Sequence, residues 1–250
     1  MKKILLPAIL VALVLTACHR DSFTISGTLD GANGHTLWLE EIAPDGPLFI
    51  DSIPVDAKGH FKYTYRMPYR SLYSLHATED NFIVTLPDYG EHLKVNGTFD
   101  SLSQTYTIAG SPESALLWQL QQQTNDGALV LTDLVDTARH YEQLLNDGLI
   151  DKETAIAKRR ITDSIYRAER KIQQEYVCLF IEENSGSLAT MIALYKTFNT
   201  TLLIRPSDTA SLYYYNLVYD GLHERYPDNP HTLHFEKTVN RMNFELNPVE

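Results

Sequence analysis

Asp51-Ser52-Ile53-Pro54-Val55-Asp56-Ala57-Lys58-Gly59-His60-Phe61 reads as a strand, a tight turn and the start of a second strand. Ile53, Val55 and Phe61 are core residues on this reading, and Gly59 supplies the positive φ that the turn needs. Leu48 to Val55 and His60 to Tyr65 are therefore expected as strands joined by a hairpin turn at Asp56-Ala57-Lys58-Gly59. Working outward, Phe23-Thr24-Ile25-Ser26-Gly27-Thr28-Leu29 alternates strictly, and Asp30-Gly31 and Asn33-Gly34 are turn signals ahead of Thr36 to Leu39. Downstream, Leu72 to His76, Phe82 to Leu86, His92 to Val95 and Tyr106 to Ala109 complete about eight short strands. Short strands at this close spacing predict an antiparallel β-sandwich or open barrel.

The period changes after Gly110. Ser111-Pro112-Glu113 has a capping residue, proline at the first helical position and an acid in the first turn, so a helix starts there, with Leu116, Leu117 and Leu120 on one face. A second helix is expected over Thr132 to Leu145. The strongest helical signal runs from Asp151 to Glu183, where Ile161, Ile165, Ala168, Ile172, Tyr176 and Leu179 fall at steps of four and three as one continuous stripe. Lys158, Arg159, Arg160, Arg167, Glu169, Arg170 and Lys171 give the same helix a solvated charged face or a basic docking stripe. Further helices are expected over Leu188 to Phe198, from Ser207 to Arg225, and from Asn229-Pro230 to Met242. The fold class is thus α+β: an N-terminal sandwich or open barrel over residues 23–110 and a helical domain over 111–250.

The first residues carry an address. Met1-Lys2-Lys3 is basic, Ile4 to Leu15 is apolar, and Leu15-Thr16-Ala17-Cys18 follows. The apolar run is about half of what a membrane-spanning helix needs. A charged start, a short apolar core and small residues before a cut describe a signal peptide over residues 1–17. Leu, a small residue, Ala and Cys resemble the lipobox of bacterial lipoproteins. That resemblance implies cleavage before Cys18, a covalent lipid on its sulfur, a short tether over residues 18–22 and anchoring to a membrane. An outer-membrane lipoprotein facing the periplasm is expected, with the cell surface as the alternative.

The charge narrows the partners. Twenty-one Lys and Arg against thirty-two Asp and Glu give −11, and loss of Lys2 and Lys3 with the signal peptide takes this to −13. Such a chain is repelled by nucleic acid and by anionic lipid headgroups, and nucleic acid is not expected as a partner. Of two cysteines, Cys18 is committed to lipid, so Cys178 has no partner within the chain; there is no Cys-x-x-Cys and no cysteine-based zinc site. Cys178 lies in the apolar run Tyr176-Val177-Cys178-Leu179-Phe180-Ile181 and reads as a small hydrophobe. His231-x-x-His234 with Glu236 nearby lacks the His-Glu-x-x-His of zinc hydrolases and an identifiable third ligand. No nucleophile elbow, phosphate loop or dinucleotide fingerprint occurs. No catalytic residue is assigned, and no cofactor is expected beyond the lipid on Cys18. Trp118, Tyr213, Tyr214, Tyr215 and Tyr219 are candidates for stacking on a glycan or peptide, although consecutive helical positions point in different directions.

Phe23-x-Ile25-x-Gly27-x-Leu29, Leu37-x-Leu39, the 51–61 segment, Ile108-Ala109-Gly110-Ser111-Pro112-Glu113-Ser114 and Tyr226-Pro227-Asp228-Asn229-Pro230 carry a family resemblance. The chain resembles the N-terminal domain of unknown function (family 4369) and helical region of bacterial thioredoxin-like, thiol-disulfide interchange lipoproteins. In that family the helices lead into a thioredoxin domain with Cys-x-x-Cys. Here the sequence given stops at Asn247-Pro248-Val249-Glu250, about where that domain would begin. Redox activity is therefore not expected of these residues. The expectation is a non-catalytic envelope lipoprotein that binds or scaffolds, accessory to a separate thioredoxin-like protein. The alternatives are a glycan- or peptide-binding lipoprotein, a truncated remnant of a thiol-disulfide interchange lipoprotein, and a hydrolase with a non-obvious acidic site.

Overall fold

The computed structural model describes residues 21–246, which divide into two compact units, the first ending at Leu117 and the second beginning at Trp118. Eight strands build the first: β1 (Ser22–Asp30), β2 (Thr36–Ala43), β3 (Gly46–Pro54), β4 (His60–Arg66), β5 (Tyr73–Thr78), β6 (Asn81–Thr85), β7 (His92–Thr98) and β8 (Thr107–Ala109). A short helix, α1 (Leu102–Thr105), precedes the last strand. The strands form two open four-stranded sheets, ordered β4-β1-β7-β8 and β3-β2-β5-β6. Alternation along β2, β4 and β7 sends one set of side chains inward, whereas β5 is buried on both faces. Phe23, Ile25 and Leu29 of β1 are buried with Leu37 and Leu39 of β2 and Tyr73 and Leu75 of β5. The sheets meet at the Phe23 and Tyr73 rings, whose centroids are 5.0 Å apart. This is the strand-rich first half expected from the sequence, followed by helices.

Two pairings differ from the expectation. The 51–61 stretch is not a hairpin: β3 pairs with β2, while β4 pairs with β1 in the other sheet. Its turn carries the chain from one sheet to the other. Asp56 Oδ1 accepts from the backbone N–H of Lys58 at 2.7 Å and of His60 at 2.9 Å, and Gly59 has φ +80°. Turn chemistry fixes a reversal of direction and leaves the choice of pairing partner to the core. The second difference is that β1 and β7 run parallel, from Thr24↔His92 to Asp30↔Thr98. A parallel pair needs a long crossover, and the whole of the second sheet supplies it. Gly27 makes the approach possible, because a Cβ there would lie 1.6 Å from the Val95 carbonyl oxygen.

The helical elements are α2 (Pro112–Asn146), α3 (Lys152–Asn184), α4 (Ala189–Leu194), α5 (Leu212–Arg225) and α6 (Pro230–Leu246). The Ser111 hydroxyl accepts from the Ser114 N–H at 3.3 Å, the cap read from the sequence, and donates to the Leu86 carbonyl at 3.2 Å. Where the sequence predicts two helices between Ser111 and Leu145, α2 is continuous. Gly127 stays helical with the Gln173 side chain of α3 against it, 2.5 Å from where its Cβ would be. The expected helix over Leu188 to Phe198 ends early, at Leu194; β9 (Thr197–Phe198) and β10 (Thr201–Leu202) then form a small hairpin turned by Asn199 at φ 57°. Asparagine tolerates that left-handed conformation better than most residues. Among the described residues, no helix is long and apolar enough to cross a membrane.

Candidate functional site

α3 carries apolar side chains on two sides. Asp151 caps it, with Oδ1 accepting from the Thr154 N–H at 2.7 Å. One side packs inward through the buried Gln173, Val177, Phe180 and Ile181. On that side Gln174 donates to the Leu203 carbonyl at 2.9 Å, and the Tyr166 ring lies 5.2 Å from that of Phe198. The other side carries the stripe read from the sequence, and it lies open. Ile161 is 57% exposed, Ile165 46%, Ile172 52% and Leu179 52%. Ala168 is also exposed and Tyr176 half-buried. The steps of four, three and four from Ile161 to Ile172, and of seven from Ile172 to Leu179, follow a heptad seam. From Ile161 to Leu179 that seam runs about 27 Å at the helical rise per residue.

The N-terminal part of α3 and the C-terminal part of α2 form a helical arm in which no residue from Val135 to Ile172 is buried. Gly148, at φ +69°, turns the chain between them. A groove of about 520 Å³ lies between the two helices, lined in part by Ala138, Tyr141, Leu145, Ala155, Ile156 and Arg159. Lys158 Nζ sits 5.4 Å from the Tyr141 ring centroid. Charge is segregated along α3. Lys158, Arg159, Arg160, Arg167, Arg170 and Lys171 outnumber Asp163 and Glu169 in the first part; Glu175, Glu182 and Glu183 follow without a basic residue. Four exposed aliphatic side chains on one side of a helix are costly to hydrate, since each apolar Å² left in water forgoes about 25 cal/mol. The row is interrupted once, at Glu175, between Ile172 and Leu179; exposed apolar rows of this kind occur where a helix meets another polypeptide.

The stacking candidates are dispersed. Tyr215 is fully buried, its ring 6.0 Å from Phe235 in the helical core. Tyr213 is exposed and meets Tyr214 edge-on at 5.0 Å. The Tyr219 hydroxyl donates to Glu236 Oε1 at 3.1 Å, and Trp118 is half-buried near the start of α2. His231 is buried while His234 is exposed, so the two rings face different surroundings, and Glu236 is engaged by Tyr219. Among the described residues no three of His, Cys, Asp and Glu are grouped to hold a metal ion. Cys178 is half-buried beside the Tyr214 hydroxyl, and burial pushes its thiol pKa up, away from the thiolate that redox or nucleophilic chemistry requires. Asp51 and Ser52 are exposed on β3, and Asp51 Oδ1 accepts from the Ser52 N–H at 2.8 Å. Cys18 lies outside the described residues.

Two polar clusters escape the sequence reading. On the β3-β2-β5-β6 sheet, His76 stacks between Trp38 at 5.0 Å and Phe82 at 4.7 Å. His76 Nε2 lies 2.9 Å from Ser74 Oγ and 3.5 Å from Glu40 Oε2. Serine, histidine and carboxylate are together, yet both contacts fall on the same ring nitrogen. A catalytic relay needs the acid on one nitrogen and the hydroxyl on the other, so this arrangement does not activate Ser74. The second cluster is Glu41, 2% exposed inside the sandwich among tyrosines. Burial and a hydrogen bond to Glu41 push the Tyr69 hydroxyl up to about 12, and burial together with the charge of Glu41 pushes Tyr73 upward too. A signal for it is present in the sequence: Glu41 shares the strand parity of Leu37 and Leu39, which points it inward.

No curated protein and no solved structure matches the chain. Residues 23–117, the strand-rich unit with the first turns of α2, match the family model described as Domain of unknown function (DUF4369).

Proposed function

We propose that this chain is a non-catalytic envelope lipoprotein, tethered through lipid on Cys18, that works as a binding or scaffolding module. Its contact surface is the open face of α3. The observation that carries the reading is the unburied heptad stripe from Ile161 to Leu179, distinct from the face already used in the core. A helix that needs one apolar face to fold and has two has one to spare for another polypeptide. The lipid then serves as the anchor. The family resemblance makes a separate thioredoxin-like envelope protein one partner to look for.

Cell envelopes containing the wild-type chain, Ile165→Asp/Ile172→Asp or Cys18→Ser, first pelleted and then solubilised for co-purification, test this in one set. The wild type should pellet with membranes and retain its bound polypeptide. The stripe variant should pellet but lose that polypeptide, and Cys18→Ser should leave the membrane unlipidated. Membrane retention of Cys18→Ser would sink the anchor, and retention of the same polypeptide by the stripe variant would sink the surface.

A further inference from the structure

We infer that the open face of α3 pairs with the same face of a second copy, the two helices running antiparallel about a two-fold axis level with position 170. This rests on the reading of the stripe as a contact surface and names what covers it. The grounds are charge and register. In a parallel pair the charged seam residues Lys158, Glu175 and Glu182 would each meet its own kind. In an antiparallel pair Lys158 meets Glu182 at both ends instead.

The register follows from the positions. Placing Ala168 opposite Ile172 of the second copy also sets Ile161 opposite Leu179, and by symmetry each of these contacts occurs twice. The next layer outward sets Lys158 against Glu182 of the second copy, so that at each end of the seam the Lys158 ammonium exchanges its place over the Tyr141 ring for an ion pair. Ile165 falls opposite Glu175, whose carboxylate is already 3.4 Å from Lys171 of its own helix, leaving its methylenes to cover the isoleucine. A parallel pair in the same heptad would stack Lys158 on Lys158 and Glu175 on Glu175. Like charges so placed act against that arrangement. Ile161, Ile165, Ile172 and Leu179 are all solvent-exposed, so the seam needs no rearrangement of α3 to form.

Sedimentation equilibrium of the full chain in density-matched detergent is the test. The wild type should have the mass of two copies in the micromolar range. Ile165→Asp/Ile172→Asp should weaken association by roughly tenfold or more. Lys158→Glu and Glu182→Lys should each weaken it, and the double variant Lys158→Glu/Glu182→Lys should recover it, because the exchanged charges meet only across an antiparallel two-fold. Circular dichroism on the same samples separates lost association from lost folding. A wild type of single-copy mass overturns the pairing yet leaves the contact surface to the co-purification test. A two-copy mass that survives the stripe substitutions, or a double variant no better than either single one, overturns the pairing as well.

Discussion

Gly27→Ala places a methyl group where the Val95 carbonyl oxygen is. The added carbon would start 1.6 Å from that oxygen and 2.6 Å from its carbon, whereas real Cβ contacts essentially never fall below 3.0 Å. β7 must therefore retreat by about 1.4 Å, the difference between those distances, or β1 must twist away from it. Either movement stretches hydrogen bonds of the β1–β7 ladder beyond their working range. Two or three such bonds at about 1 kcal/mol each, with about 1–3 kcal/mol for the overpacking, predict a loss of roughly 3–6 kcal/mol. That is a large share of the roughly 5–15 kcal/mol by which a domain is stable. Gly31→Ala is the internal standard: Gly31 has φ +82° but nothing within 4 Å, so its cost is limited to backbone strain of about 1–2 kcal/mol. Urea unfolding followed by tyrosine fluorescence measures both. If Gly27→Ala unfolds at the same midpoint as Gly31→Ala, the close parallel approach of β1 and β7 is wrong.

The remaining expectations are smaller. Ser111→Ala removes the cap of α2 and a donor to the Leu86 carbonyl, and should cost about 1–2 kcal/mol in denaturant unfolding. Lys196 donates to Gln121 Oε1 at 2.8 Å, and burial holds its pKa down to about 8. The folded chain then binds fewer protons than the unfolded one between about pH 8 and 10.4, so this group makes stability rise with pH through that window. Lys196→Met should flatten that slope in thermal melts. Cys178, with its thiol pKa raised by burial, should react with maleimide at neutral pH far more slowly than a free thiol, and at the free rate once urea unfolds the chain.

Strand positions are legible in the sequence because alternation and Asp-Gly or Asn-Gly turns are local signals; β1 to β8 follow them closely. Pairing is not, because it is a non-local choice. The 51–61 turn has all the features of a hairpin and joins two sheets instead, since Phe61 and Ile53 reach the same core from opposite layers. The β1–β7 pair leaves a single trace, a glycine within a strand, which marks close backbone approach without naming what approaches. Gly127 invites a break in α2 that does not occur. The Gln173 side chain that fills its notch belongs to α3, too far along the chain for any local pattern to link the two.

The stripe on α3 is legible as a stripe, but its exposure is not. Periodicity shows that apolar residues share a face and says nothing about whether that face is covered. The run Tyr176-Val177-Cys178-Leu179-Phe180-Ile181, apolar all round, holds the clue that this helix has two apolar sides. One of them is spent on Val177, Phe180 and Ile181 in the core. The tyrosines fail as a guide for a related reason: consecutive positions on α5 diverge, so that Tyr215 enters the core while Tyr213 stays in solvent.

The most direct test of the contact surface is site-specific photocross-linking in intact cells, with a benzophenone side chain placed in turn at Ile165, Ile172 and Asp163. Asp163 is exposed on the same helix but off the stripe. Adducts from positions 165 and 172, and none from 163, are expected, with a mass of two chains if the second copy is the occupant. No adduct from either stripe position, or equal adducts from all three, would contradict the assignment of this face as the working surface of the protein.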